Sequence, residues 1–204
     1  MRARPAVRKA RDVLRKETPG VRFAEVERET QLVRVRVVVD LDGESKHTID
    51  TGIGYFDYVL GLLAFHGGVD LGVSAEGDLA VDDRHTVEAV GACIGKAIRQ
   101  ALGDPDGTRR VGSESAPVDD ALVHVAVDIG GRPACQYKVQ FTVERIGGLT
   151  CECIEDFLRA VSIHAGFTIH AIQMAGHNNH HICESLFSAL GLALRRAIGK
   201  ATAK

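Results

Sequence analysis

Gly176-His177-Asn178-Asn179-His180-His181-Ile182-Cys183-Glu184 and, 96 residues earlier, Asp82-Asp83-Arg84-His85-Thr86-Val87-Glu88 are two versions of one pattern, and their kinship decides the fold. In a helix His180 and Glu184 are four residues apart and share a face, while His181 is rotated about 100° away. One segment can therefore serve two directions. Imidazole and carboxylate donors suit zinc, manganese, iron or nickel better than calcium or copper(I). The plainer alternative is a polar helix start whose histidines bond to backbone.

Working outward, other features echo at nearly the same spacing. His66-Gly67-Gly68 matches His164-Ala165-Gly166 at an offset of 98, and His85 and Glu88 match His181 and Glu184 at 96. Residues 55–66, YFDYVLGLLAFH, carry apolar positions at helical spacing and stop at Gly67-Gly68. Thr86 to Leu102, Glu152 to His164 and His180 to Ile198 read as further helices. Val33 to Leu41 alternates apolar and charged residues as a half-buried strand does, and Asp42-Gly43 then turns it in what looks like a hairpin. Val69 to Ala75, Ala121 to Ile129, Ala134 to Val143 and Thr168 to Gln173 are the other predicted strands. The loop GDPDGTRRVGSESAP, residues 103–117, divides the chain. The expectation is an α+β fold: an internal duplication of two βαβ-type halves, each a small sheet with helices on one face. The boundaries are a basic arm at 1–20, a first half-repeat at 21–107 and a second at 108–204, fused into one compact domain.

With 204 residues and 45% hydrophobic content the chain can bury a substantial core. No apolar run approaches the roughly 20 residues that span a bilayer, and MRARPAVRKARDVLRK has no apolar signal segment, so a cytoplasmic location is expected. Cys93, Cys135, Cys151, Cys153 and Cys183 form an odd set without a Cys-x-x-Cys pair, which fits reduced core thiols. The net charge of −2 exerts no overall pull toward nucleic acid. Residues 2–16 are basic, yet no aromatic side chain interleaves them for base stacking. No G-x-x-x-x-G-K-[ST] loop is present. His47 and His124 read as solvent-facing strand residues, and His164 and His177 as surface groups.

In the first copy of the pattern Arg84 stands four residues before Glu88, where the second copy has His180. A guanidinium offers only donors and cannot bind a metal ion. The spacing predicts instead that Arg84 bonds Glu88 and fills the place of an ion there.

These residues resemble the imidazoleglycerol-phosphate dehydratase family over about Val21 to Gly199. The motifs are Thr51-Gly-Ile-Gly-Tyr-Phe-Asp57, His66-Gly67, Gly77-Asp78-Leu79 with Asp82-Asp83, Pro117-Val-Asp-Asp-Ala-Leu122, Gly131-Arg132-Pro133, Thr168-Ile-His170 and GHNNHHICE. The resemblance implies a duplicated fold of the ribosomal protein S5 domain 2-like kind. It also implies a hydro-lyase of histidine biosynthesis that removes water from imidazole glycerol phosphate, with Mn2+, one or two ions per site. Sites would lie at subunit interfaces of a large homo-oligomer, with no membrane or nucleic-acid partner. Carried over by position, the metal ligands are His85, Glu88, His170, His180, His181 and Glu184. Glu88, Glu184 and His66 are the catalytic candidates, and Arg110 and Arg132 the phosphate-binding ones.

Several positions depart from the family pattern. Tyr58 and Arg84 stand where it has ligand histidines, Leu32 where it has a substrate-facing carboxylate, and Ser188 where it has a lysine after the last ligand motif. The sequence ends at IGKATAK without the family's closing PSTKG segment. These departures keep two alternatives open: a non-catalytic structural or regulatory subunit, and a lyase of altered specificity.

Overall fold

The computed structural model describes residues 22–201; the basic arm at 1–20 lies outside them. Two four-stranded sheets enclose a double layer of helices. The first sheet comprises β1 (Phe23–Glu29), β2 (Val33–Asp40), β3 (His47–Asp50) and β4 (Asp70–Gly77), in the order β1-β2-β4-β3. The second comprises β5 (Val111–Val118), β6 (Ala121–Asp128), β7 (Ala134–Lys138) and β10 (Thr168–Ala175), in the order β5-β6-β10-β7. In both, three strands run antiparallel and the last edge pair is parallel. The helices are α1 (Gly54–Gly67), α2 (Arg84–Leu102), α3 (Glu152–Ala165) and α4 (Asn179–Ile198). Each parallel pair is joined through a helix, α1 in the first half and α3 in the second, so both halves hold a βαβ unit.

The inner face of each sheet is apolar at every second residue. Val35, Val37 and Val39 on β2, and Val123, Val125 and Val127 on β6, are essentially inaccessible to water. Above the first sheet α2 presents Val87, Val90, Ile94, Ala97 and Ile98, the three-and-four spacing of a helix with one buried face. Phe157 lies between Phe56 and Phe187, with ring centroids 5.4 and 5.5 Å away, and ties three helices together at the centre.

The duplication is visible in how the helices meet. A Cβ on Gly95 of α2 would lie 2.7 Å from the Val161 carbonyl oxygen and 3.1 Å from His164 Cβ on α3. A Cβ on Gly191 of α4 would lie 2.7 Å from the Leu63 carbonyl oxygen and 3.0 Å from His66 Cβ on α1. These are the same contact made twice, 96 to 98 residues apart. Gly68 and Gly166 end α1 and α3 in left-handed conformation, φ 64° and 75°, and are faced by Arg195 and Arg99 respectively. Each half thus packs a helix on the other half, and the core is continuous.

The structure changes three sequence expectations. The turn at Asp42-Gly43 does not make a hairpin with the next strand. The carboxylate of Asp70, at the start of β4, accepts the backbone N–H groups of Glu44 and Lys46 at 2.7 and 2.8 Å, and this carries the chain over to the far edge. The hairpin partner of β2 is instead β1, which precedes it. The loop at 103–117 ends earlier, because Val111–Val118 is an edge strand whose Gly112 admits the backbone of α4. The strand predicted for Ala134 to Val143 stops at Lys138, and a short hairpin, β8 (Arg145–Ile146) with β9 (Leu149–Thr150), follows. Among the described residues no helix is long and apolar enough to cross a membrane.

Candidate functional site

Asn178 caps α4: its side-chain oxygen accepts the backbone N–H of His180 at 2.9 Å and of His181 at 3.4 Å. The two imidazoles then diverge, as the helical spacing predicts. His180 Nε2 lies 3.2 Å from Glu184 Oε1. The Tyr58 hydroxyl, arriving from α1, donates to the same Oε1 at 2.5 Å, and this bond holds the phenol above its ordinary pKa. Tyr55 donates to the His180 carbonyl at 3.2 Å, and its ring centroid is 4.8 Å from that of His180. Two tyrosines of α1 therefore clasp the first turns of α4. His181 turns toward the β5–β6 turn, where Nδ1 is 2.7 Å from Asp120 Oδ1 and Nε2 is 3.3 Å from Asp119 Oδ2. The Asp120 hydrogen bond raises the His181 pKa. The histidines are not merely bonded to backbone.

His85 and Glu88, both exposed, lie in the first turns of α2. With Arg28, Thr30, Gln31, Leu32, Val33 and Ala89 they line an open pocket of about 440 Å³. Glu88 is the sole carboxylate among these lining residues, and Leu32 contributes an exposed apolar side chain. Arg84 does not bond Glu88. Its Nη2 lies 2.8 Å from Asp156 Oδ2 on α3, a carboxylate less exposed than Glu88 because α2 and α3 pack along their lengths. Asp83 beside it is buried, and its carboxylate accepts from Thr150 N (2.6 Å), Thr150 Oγ1 (2.7 Å) and Arg145 Nη2 (3.1 Å). The starts of α1 and α2 are bridged by this hairpin, since Gly147 packs on Tyr55.

The remaining candidates lie elsewhere in the chain. His170 is at an exposed position of β10, between Ala126 and Gln136, on the face opposite the helices that cover Ile169 and Ala171. His66 sits in the last turn of α1 against Gly191, with its pKa lowered by burial. Arg110, at φ 67°, donates from Nε and Nη2 to Asp128 at 2.9 and 3.3 Å. This pairing lowers the Asp128 pKa, and the charge of Arg132 nearby adds to the effect. The Arg110 backbone N–H bonds to the Ala197 carbonyl at 3.0 Å, which places Arg110 at the opposite end of α4 from His180. His180 and Ala197 are seventeen positions apart on α4, about 25 Å along the axis.

The chain therefore brings His180, His181 and Glu184 together, and His85 with Glu88, but not all six proposed ligands. Among the described residues the one group of three metal-capable side chains in mutual reach is Asp82, Asp83 and Cys153, where Asp83 is already engaged by Arg145 and Thr150. Sequence reasoning missed Asp120, Asp156 and Tyr55. Asp120 and Tyr55 had a signal, since they lie in the quoted Pro117–Leu122 and Thr51–Asp57 motifs; Asp156 had none.

The family model for imidazoleglycerol-phosphate dehydratase matches residues 51–194. The imidazoleglycerol-phosphate dehydratase of Moorella thermoacetica is 48% identical over 177 residues, 87% of this chain and 90% of the relative. That of Clostridium botulinum strain Kyoto is 45% identical over 178 residues, 87% and 91% of the two. The crystal structure of the Staphylococcus aureus enzyme superposes with a TM-score of 0.80 at 32% identity, covering 88% of this chain and 99% of that one. The Pyrococcus furiosus structure, in complex with (S)-C348, gives 0.75 at 31%, covering 86% and 94%. With the βαβ duplication, the paired helix starts and this likeness along most of its length, the chain belongs to the imidazoleglycerol-phosphate dehydratase family.

Proposed function

We propose that this chain is a metal-dependent hydro-lyase that removes water from imidazole glycerol phosphate in the cytoplasm. The observation that carries the reading is the start of α4, where His180, His181 and Glu184 offer nitrogen and oxygen donors in two directions. The donor set fits a divalent ion of the manganese or zinc type. His180 Nε2 and Glu184 Oε1 are 3.2 Å apart, the spacing expected of two donors each about 2.1 Å from one ion. A carboxylate has lone pairs enough for the Tyr58 hydroxyl as well. Manganese is the ion the resemblance implies, with His85, Glu88, His170, His180, His181 and Glu184 as its holders. Once bound, it would supply Lewis-acid polarisation of the substrate's imidazole.

The chain's own groups do the rest. Glu88 and Glu184 carry protons between carbon, oxygen and solvent, and His66 serves as an accessory acid or base. Arg110 and Arg132 hold the phosphate. Arg110 keeps unused N–H donors after pairing with Asp128, which fixes its fork in orientation. The roughly 25 Å between that end of α4 and His180 is far longer than the substrate. One chain therefore cannot grip both ends of one substrate molecule, and the half-repeats 21–107 and 108–204 assemble sites with neighbouring copies in a homo-oligomer.

The decisive experiment is complementation of a histidine auxotroph lacking the dehydratase, with metal analysis of the purified chain. Growth together with bound manganese is expected; no growth from a soluble, expressed chain would overturn the reading. Tyr58→His should raise the manganese content per chain after dialysis, because it exchanges a hydroxyl donor on Glu184 for a ring nitrogen. Unchanged metal content would mean that Tyr58 does not restrain Glu184.

A further inference from the structure

Asp120 is the most connected carboxylate near the start of α4. It sits in the tight turn between β5 and β6, directly after Asp119, whose φ of 44° is left-handed. Its Oδ2 accepts the backbone N–H of His177 at 2.7 Å and of Asn178 at 3.1 Å, the two residues that lead into α4. Its Oδ1 faces His181 Nδ1 at 2.7 Å. A solvent-accessible carboxyl that already accepts two backbone N–H groups is ionised at neutral pH, so it is an acceptor with no proton to give.

An ionised carboxylate at that distance requires Nδ1 to carry the hydrogen. A neutral imidazole has one N–H, and of the two carboxylates facing the ring the backbone-anchored Asp120 at 2.7 Å takes it rather than the exposed Asp119, whose Oδ2 lies 3.3 Å from Nε2, so Nε2 keeps its lone pair. We propose that Asp120 is a positioning residue that fixes His181 in the Nδ1–H form and thereby presents Nε2 as a metal donor. Ligating histidines are commonly oriented in this way by a carboxylate on the other ring nitrogen. The anchoring is also directional: with Oδ2 tied to the backbone of 177 and 178, Oδ1 cannot swing away from the ring. This inference rests on the reading of His181 as a metal ligand.

Asp120→Asn tests it with little change of shape. An amide has one oxygen, which can accept from the backbone of 177 and 178 or from His181, but not from both sides. With the oxygen kept on the two backbone donors, the NH2 group faces the ring, and Nδ1 must become the acceptor. The proton then moves to Nε2, and the metal donor is lost.

The measurement is 15N solid-state NMR of the full chain labelled at histidine, under alkaline conditions that keep the ring neutral, with His181 assigned by difference against His181→Gln. Manganese affinity is measured by titration of the same samples. The wild-type ring is expected to be Nδ1–H; Asp120→Asn should shift it to Nε2–H and weaken manganese binding by about 10- to 100-fold. In the His181→Gln background Asp120→Asn should weaken binding no further, which a merely structural role would not predict. A wild-type ring protonated on Nε2 would overturn the proposal without any variant having to fold. So would an Asp120→Asn chain that binds manganese as tightly as wild type. An Nδ1–H ring in a wild-type chain that fails to support histidine growth would leave the positioning role standing and defeat the dehydratase reading.

Discussion

Glu184→Gln is expected to lower kcat/KM by on the order of 10² to 10³ while leaving the fold intact. The glutamine oxygen can still accept the Tyr58 hydroxyl, so the clasp between α1 and α4 persists. What disappears is the negative charge that His180 Nε2 faces at 3.2 Å, and with it the anionic metal donor and proton carrier that the proposed function assigns to Glu184. Manganese content should fall together with activity, and thermal stability should stay within a few degrees of wild type. Steady-state kinetics, metal analysis and a melting curve on one preparation decide the matter. A variant that keeps its activity would remove Glu184 from the site.

The largest effect on stability is expected at Gly112, far from any of these groups. A Cβ there would run into the Ala193 carbonyl oxygen and lie 2.8 Å from the Ala197 amide nitrogen, both backbone atoms of a helix that cannot bend away. Gly112→Val should therefore cost about 3 kcal/mol or more. For a chain of this length that is a fall in Tm on the order of 10 °C. Gly54→Ala is the control, since nothing lies within 4 Å of its would-be Cβ, and it should melt close to wild type. Equal melting of the two variants would show that β5 and α4 are not in close contact.

Both predictions draw on structure that the sequence carried unequally. The helices were legible because each repeats its apolar residues every three or four positions, and their ends were marked by Gly67-Gly68, Gly103 and Gly166. The edge strands were harder. In FAEVERE and VGSESAPV only a minority of residues is buried, so the alternation that marks a strand is diluted by charge and small residues. The Asp42-Gly43 turn was recognised, but its outcome was not, because the partner that steers it, Asp70, lies 26 residues beyond Glu44.

The site divides in the same way. The pairing of His180 with Glu184 follows from helical spacing alone, and the structure has it. The bond of Glu184 to Tyr58 spans 126 residues and that of His181 to Asp120 spans 61, and no local pattern encodes either. Arg84 shows the limit most clearly. Glu88 was its natural partner along one helix, yet the less exposed Asp156 on the adjoining helix takes it. Packing α2 on α3 sets that carboxylate beside Arg84, and the spacing of residues along one helix carries no sign of it.

By itself, then, the order of residues determined the family and the duplicated fold and nominated the donors, because periodicity, turn glycines and the 96- to 98-residue echo are properties of the chain read along its length. Tertiary structure alone decided which donors meet. It closed Tyr58 on Glu184, aimed His181 through Asp120, and put the arginines and the histidines at opposite ends of α4. The physical reason is that hydrogen bonds and ion pairs reach only about 3 to 4 Å. Which groups come within that range is set by helix and sheet packing, through glycines such as Gly95, Gly112 and Gly191, and not by distance along the chain.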